Sequence, residues 1–179
     1  MKIVIITGMQ GAGKSELALA FKDAGYPIII MGDIIREESR RRGLEPNAEN
    51  NKKVMLELRE KDGMGAVALR CVDDLKGMDS KLVVIEGCRS VAEIDVFDDY
   101  AEEVKIICVH TSPSVRFQRL KARGRDDAPQ EWSSFRERDL REISVGLGGV
   151  IALSDIMLVN ERSLEYFREI IKKTVAEFI

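Results

Sequence analysis

Cysteine is scarce in this 179-residue chain, at three: Cys71, Cys88 and Cys108. The number is odd, no CxxC spacing occurs and each sits in apolar or helical surroundings, so a disulfide framework drops out and buried, reduced thiols are expected. His110 is the only histidine; it ends an apolar run and reads as structural, and no metal site built from protein alone is visible. No segment reaches the roughly 18 apolar residues that a membrane helix needs. The apolar run 3–6 after Met1-Lys2 is too short for the core of a signal sequence. With a net charge of -3 the chain has no global field to draw it onto nucleic acid, so any polyanion must be gripped by a local cluster. Repeats, linkers and low-complexity tracts are missing as well. These absences place the chain in a reducing, aqueous compartment, the cytoplasm.

What is present reads as one domain over 1–179. Hydrophobic residues make up 45% and charged residues 33% of the chain, with both signs mixed throughout. Five short β-branched runs, at 2–7, 27–31, 81–86, 104–110 and 154–159, are almost continuously apolar. Strands of that kind are covered on both faces, which predicts an α/β fold: a five-stranded parallel sheet wrapped by helices. The first helix is expected over 14–24, with Leu17, Leu19, Ala20 and Phe21 available for its packed face and Gly25 ending it. The stretch 33–77 is too long for a simple crossover and predicts a mobile helical insertion on the rim of the sheet, broken at 43–46 and at Gly63. A second insertion, 116–149, is helical and charged and ends in the flexible-looking Gly146-Leu147-Gly148-Gly149. The last helix, 163–179, carries Leu164, Phe167, Ile170, Ile171, Thr174, Val175 and Phe178 along one side.

The run Gly8-Met9-Gln10-Gly11-Ala12-Gly13-Lys14-Ser15 matches G-x-x-x-x-G-K-[ST] in full, after a strand and before a helix. Glycines at those places let backbone N–H groups, Ala12 among them, point inward. The helix start adds positive potential, and Lys14 adds a point charge. Such a cradle suits a triphosphate, and Ser15 sets a hydroxyl where a magnesium ion would bridge the terminal phosphates. ATP and Mg2+ are the expected cofactors, with Glu16 counted among the nucleotide-binding positions. A guanine-reading NKxD element is absent, which argues against a GTPase switch. The third apolar run ends in a single acid, Glu86, and not in the acid followed by a catalytic glutamate that motor ATPases carry.

Four further candidates follow from position. Glu86 would be costly to bury unpaired, and a place beside magnesium water or an arginine suits it. Asp33 follows the second strand, where side chains at the carboxyl edge of a parallel sheet face the ligand crevice; it can hold magnesium water, accept a proton, or cap a helix. Arg36 would offer a fork to a phosphate or a surface ion pair to a glutamate. Arg89, on the loop after Glu86, would clamp the acceptor or pair nearby. Between Arg116 and Arg141, eight basic residues face five acidic ones in a chain that is negative overall. Arg119, Arg123 and Arg125 are the candidates to meet charge on a transferred phosphoryl group, Arg123 first, while Arg136, Arg138 and Arg141 read in part as a solvated, ion-paired face. Trp132 lies in this region with Phe135, where packing is expected and not stacking on a base.

These stretches resemble the nucleoside monophosphate kinase superfamily, most closely archaeal adenylate-kinase-related proteins that also resemble dephospho-CoA kinase. The likeness rests on the glycine loop, on Gly32-Asp33-Ile34-Ile35-Arg36, on Val84-Ile85-Glu86-Gly87-Cys88-Arg89, on Arg119-x-x-x-Arg123-Gly124-Arg125, and on Ser154-Asp155 to Asn160, and it spans essentially the whole chain. It implies an acceptor-binding insertion over 33–77, in which Arg36 holds the acceptor's phosphate, an arginine-bearing lid over 116–149, and a turn at Asn160 near the base. Two departures bear on the substrate: Glu86 stands where adenylate kinases carry aspartate, and Cys88-Arg89 replaces their Phe-Pro-Arg. The expected activity is transfer of phosphoryl from Mg-ATP to a small nucleotide-like acceptor. Transfer to a hydroxyl in the manner of dephospho-CoA kinase, with Asp33 as base, is one alternative. A nucleotide-binding regulator or assembly factor with weak ATPase is the other, and saturable acceptor-dependent turnover separates them. No membrane or nucleic-acid partner is expected.

Overall fold

The computed structural model describes residues 1–124 and 129–178. In chain order its elements are β1 Lys2–Thr7, α1 Lys14–Asp23, β2 Ile28–Ile30, α2 Met31–Arg41, α3 Ala48–Asp62, α4 Ala66–Leu75, β3 Leu82–Glu86, α5 Val91–Tyr100, β4 Glu103–His110, α6 Pro113–Ala122 and α7 Trp132–Glu142. A π-helical turn, Ile143–Leu147, leads into α8 Gly148–Ala152, β5 Ile156–Val159 and α9 Leu164–Ala176. The strands form one parallel sheet in the order β2-β3-β1-β4-β5.

Strand periodicity divides the core into two layers. Val4, Ile6, Val84, Ile107 and Val109 face α1 and α9, meeting Leu17, Phe21, Phe167 and Ile171. Ile3, Ile5, Val83, Ile85 and Ile106 face the other way, onto residues of α2, α3, α4, α5 and α8. At about 25 cal/mol per Å² of apolar surface removed from water, these two layers supply the main drive to fold. The α/β reading of the apolar runs therefore holds strand by strand.

Three local expectations change. α1 buries Leu17, Ala18 and Phe21, while Leu19 is 50% exposed, because positions 17, 18 and 21 share a face at 100° per residue and 19 does not. α9 packs through Phe167, Ile171, Thr174 and Val175, and Leu164, in its first turn, is exposed. The segment read as a rim insertion is partly core: α4 buries Ala66, Val67, Ala68, Cys71, Val72 and Leu75 against the sheet.

The glycine run at the end of the second insertion is built into the structure as well. Gly146 has φ 114°, and a Cβ there would lie 3.0 Å from the Arg89 carbonyl oxygen, so glycine permits a close approach of two backbones. Leu147 and Val150 on either side are buried. The three cysteines are free and buried, as expected. Among the described residues, no helix is long and apolar enough to cross a membrane.

Candidate functional site

Sheet register gathers the site. Ile6 lies beside Glu86 and Thr7 beside Cys108, so the loop after β1 leaves the sheet between the carboxyl ends of β3 and β4. That edge is where open parallel sheets bind ligands. In the loop, Gly8, Gly11 and Gly13 have φ of 133°, 81° and 109°. A Cβ on Gly8 would stand 2.2 Å from the Val109 carbonyl oxygen, and one on Gly13 would stand 2.5 Å from Asn160 Nδ2. No side chain fits at either place.

Lys14 folds back over this loop and donates from Nζ to the carbonyls of Gly8 at 2.9 Å and Met9 at 3.3 Å. Burial lowers its proton affinity; Glu86 raises it, Arg89 lowers it and Glu142 raises it. Lys14, Glu86, Arg89 and Glu142 thus share one electrostatic neighbourhood, although they come from three separate parts of the chain. Ser15 is exposed in the first turn of α1, and Glu16 accepts from Arg168 Nε of α9 at 3.0 Å.

The loop is braced from behind. Asn160 Nδ2 donates to the Ala12 carbonyl at 2.8 Å. The buried Thr111 hydroxyl lies 3.1 Å from that carbonyl and 3.0 Å from the Asn160 carbonyl. Arg119 donates to Thr111 Oγ1 at 3.3 Å and to Asn160 Oδ1 at 3.4 Å. Arg116, 2% exposed, donates to the carbonyls of Thr111 at 3.1 Å and Gln10 at 3.2 Å and takes both oxygens of Asp139 at 2.9 and 2.5 Å. Its guanidinium also lies 5.0 Å over the Phe135 ring, in a cluster with Phe117 and Trp132. The expected packing of Trp132 against Phe135 is present, although Trp132 stays 43% exposed.

On the other side of β3, Asp33 and Arg36 form an exposed pair, with Arg36 Nε donating to Asp33 Oδ1 at 2.9 Å. α2 begins at Met31, so Asp33 is no cap; it sits in the first turn, where a negative charge suits the helix dipole. The ion-pair partner of Arg36 is this aspartate and not a glutamate. An open cavity of about 470 Å³ beside β2 is lined by Asp33, Ile34 and Asp74 among others and by no residue of the glycine loop. Arg89 donates from its backbone to Glu93 at 2.7 Å and from its side chain to Glu142 at 3.1 Å. Arg123 is exposed at the end of α6, and Arg125 lies outside the described residues. His110 is exposed at the end of β4, where its carbonyl accepts from the Asn160 N–H at 2.8 Å.

Thr111, Arg116, Asp139 and Glu142 are the site residues that sequence reasoning missed. Each acts through a partner far along the chain, which spacing does not reveal. Among the described residues no group of three or more His, Cys, Asp or Glu could hold a metal by itself. The donors that remain, the exposed Ser15 hydroxyl and the half-buried Glu86 carboxylate, fit an ion that brings water and phosphate oxygens with it.

A family model described as AAA domain matches residues 4–143. A UPF0200 protein of Thermococcus kodakarensis is 47% identical over 99% of this chain and 98% of its own length. A UPF0200 protein of Methanosarcina mazei is 39% identical over 100% of this chain and 96% of its own. Among solved structures, TT1252 from Thermus thermophilus aligns with a TM-score of 0.68 at 18% identity, over 99% of this chain and 97% of that one. Shikimate kinase from Bacteroides thetaiotaomicron aligns at 0.66 and 15%, over 98% and 97%. A gluconokinase from Sinorhizobium meliloti aligns at 0.57 and 15%, over 99% and 93%. At such identities the structures speak for the fold, a P-loop kinase fold. By its family match and its full-length relatives, the chain belongs to the AAA domain family of P-loop proteins and to the UPF0200 family.

Proposed function

We propose that the protein is a Mg-ATP-dependent phosphotransferase that hands the γ-phosphoryl group to a small, nucleotide-like acceptor in the cytoplasm. The observation that carries this reading is Lys14, folded over the carbonyls of Gly8 and Met9 in a loop whose Gly8 and Gly13 leave no room for a side chain, with the Glu86 carboxylate in its neighbourhood. The loop N–H groups from Gly8 through Gly13, with the start of α1, attract a polyphosphate, and Lys14 exchanges carbonyl oxygens for phosphate oxygens. Ser15 and, through water, Glu86 would hold the magnesium that arrives with ATP, and the ion would supply positive charge to offset that of the phosphates. Arg119 and Asn160 serve the nucleotide end. Asp33, Arg36 and Arg89 form the acceptor end, within an insertion over 33–77 and the loop after β3. Arg123 and Arg125 come from a lid over 116–149.

The protein contributes chiefly position and charge, which is what phosphoryl transfer demands. Two structural neighbours named as kinases of small molecules support the reading at the level of fold. The test is ADP release from Mg-ATP across a panel of nucleoside monophosphates and dephospho-CoA. Saturable stimulation by one acceptor, lost in Lys14→Ala, is expected. ATP binding with no acceptor effect would favour a nucleotide-dependent regulator instead.

A further inference from the structure

Arg89 has a fixed base and an exposed end. Its backbone N–H is held by Glu93 Oε2 at 2.7 Å, and Glu93 in turn is pinned by the Ser90 N–H at 3.2 Å and by the buried Arg59 at 3.2 Å. The side chain beyond is about half exposed, and its ion partner is Glu142, with Nη1 3.1 Å from Oε1. Glu142 is the last residue of α7. Just past it, the chain comes back onto the Arg89 loop at Gly146, where a Cβ would stand 3.0 Å from the Arg89 carbonyl oxygen. Arg89 follows Glu86, which lies beside Ile6 where β1 runs into the phosphate loop, so the pair stands at the same edge of the sheet as that loop.

The contact is single, from Arg89 Nη1 to one carboxylate oxygen, and a phosphate oxygen can accept along the same N–H direction while a second oxygen takes up the rest of the fork. The two ligands differ in charge: a phosphate brings up to two negative charges and a further oxygen, a carboxylate one charge. The arginine side chain is 49% exposed and the glutamate side chain 24%, so their single contact is open to water from the arginine side and weakly held. A phosphate can therefore displace Glu142 from Arg89, whereas a neutral hydroxyl compound has nothing to offer in exchange.

We infer that Glu142 is a specificity-determining residue of the acceptor end: it holds Arg89 against uncharged molecules and yields it to an acceptor that carries a phosphate. This inference rests on the phosphotransferase reading of the same cleft. It goes further in naming a residue outside the phosphate loop that sets the choice between charged and uncharged acceptors.

The test uses inorganic phosphate as probe and the phenylglyoxal reactivity of Arg89, followed by peptide mass spectrometry, as readout. Wild type is compared with Glu142→Gln and with Glu142→Asp, whose shorter side chain withdraws the carboxylate without removing it. The phosphate concentration for half-protection is expected to fall about two- to fivefold in Glu142→Gln, the range that an exposed ion pair can oppose, and by less in Glu142→Asp. An unchanged or higher concentration would overturn the inference, since Glu142 would then be a bystander or a support for Arg89. AMP and adenosine are compared as protectants in the same assay. A gain for AMP alone supports the inference, and an equal gain for adenosine overturns it. If phosphate behaves as expected while no acceptor stimulates ATP turnover, the pairing of Glu142 with Arg89 stands and the transfer reading falls.

Discussion

Asn160 donates its side-chain amide to the carbonyl of Ala12 at 2.8 Å, a contact that spans 148 residues of sequence and fixes the back of the phosphate loop to the turn after β5. Both residues are buried. Replacing Asn160 with alanine removes the amide and leaves Ala12 with the Thr111 hydroxyl alone. The expected loss is about 1 kcal/mol of stability, the net worth of one buried hydrogen bond, accompanied by weaker ATP binding. Urea denaturation and a nucleotide titration on the same preparation check both effects.

Gly13→Ala should be more severe for binding than for folding. The new Cβ would sit 2.5 Å from Asn160 Nδ2 at a φ of 109°, so the loop must shift or Asn160 must leave. Backbone strain alone is on the order of 1–2 kcal/mol. At Gly25, where φ is 89° but nothing lies within 4 Å, alanine brings the strain without the collision. ATP binding measured for both variants should be lost in Gly13→Ala and kept in Gly25→Ala.

Arg116 and Asp139 tie α6 and α7 to the loop through a buried, two-pronged pair. Arg116→Met strands Asp139 and the Gln10 carbonyl, and about 3 kcal/mol or more of stability should go with it. Asp139→Asn strands the guanidinium and should cost a similar amount. The double variant Arg116→Met/Asp139→Leu should recover part of the loss, because an apolar pair leaves no unpaired charge. Thermal melts of the three variants give the comparison.

Alkaline pH should destabilise the fold through its thiols. Burial pushes Cys71 up to about 12 and Cys108 up to about 11 from an ordinary 9.0, and it raises Cys88 as well. A raised folded-state pKa means that the native state keeps protons the unfolded chain has lost. The stabilisation is full below about pH 9 and drains away as pH climbs towards the folded values. Urea midpoints should therefore fall with pH above about 9, with a shallower slope in Cys71→Ala. Ellman's reagent at neutral pH should label none of the three thiols until the protein unfolds.

The fold was legible because its strands advertise themselves: Ile3, Val4, Ile5 and Ile6, a short run of β-branched residues, read as a strand covered on both faces. The glycine loop was legible because its chemistry is local, eight residues whose spacing is their function. Leu19 and Leu164 misled because hydrophobicity does not reveal which side of a helix meets the sheet. Gly146 and Gly149 looked flexible because glycine signals both freedom and close packing, and only the contacts to Arg89 and Val91 decide between them. Arg116 with Asp139 and Arg89 with Glu142 lie 23 and 53 residues apart. Pairings of that range depend on the strand order, which periodicity alone does not supply.

The central claim is transfer of phosphoryl to an acceptor, and following the phosphorus tests it most directly. Phosphorus NMR of the protein with Mg-ATP and the acceptor panel should reveal a new phosphorylated organic species growing in step with ADP, absent with Lys14→Ala. Inorganic phosphate as the sole product, whichever acceptor is present, would contradict the account.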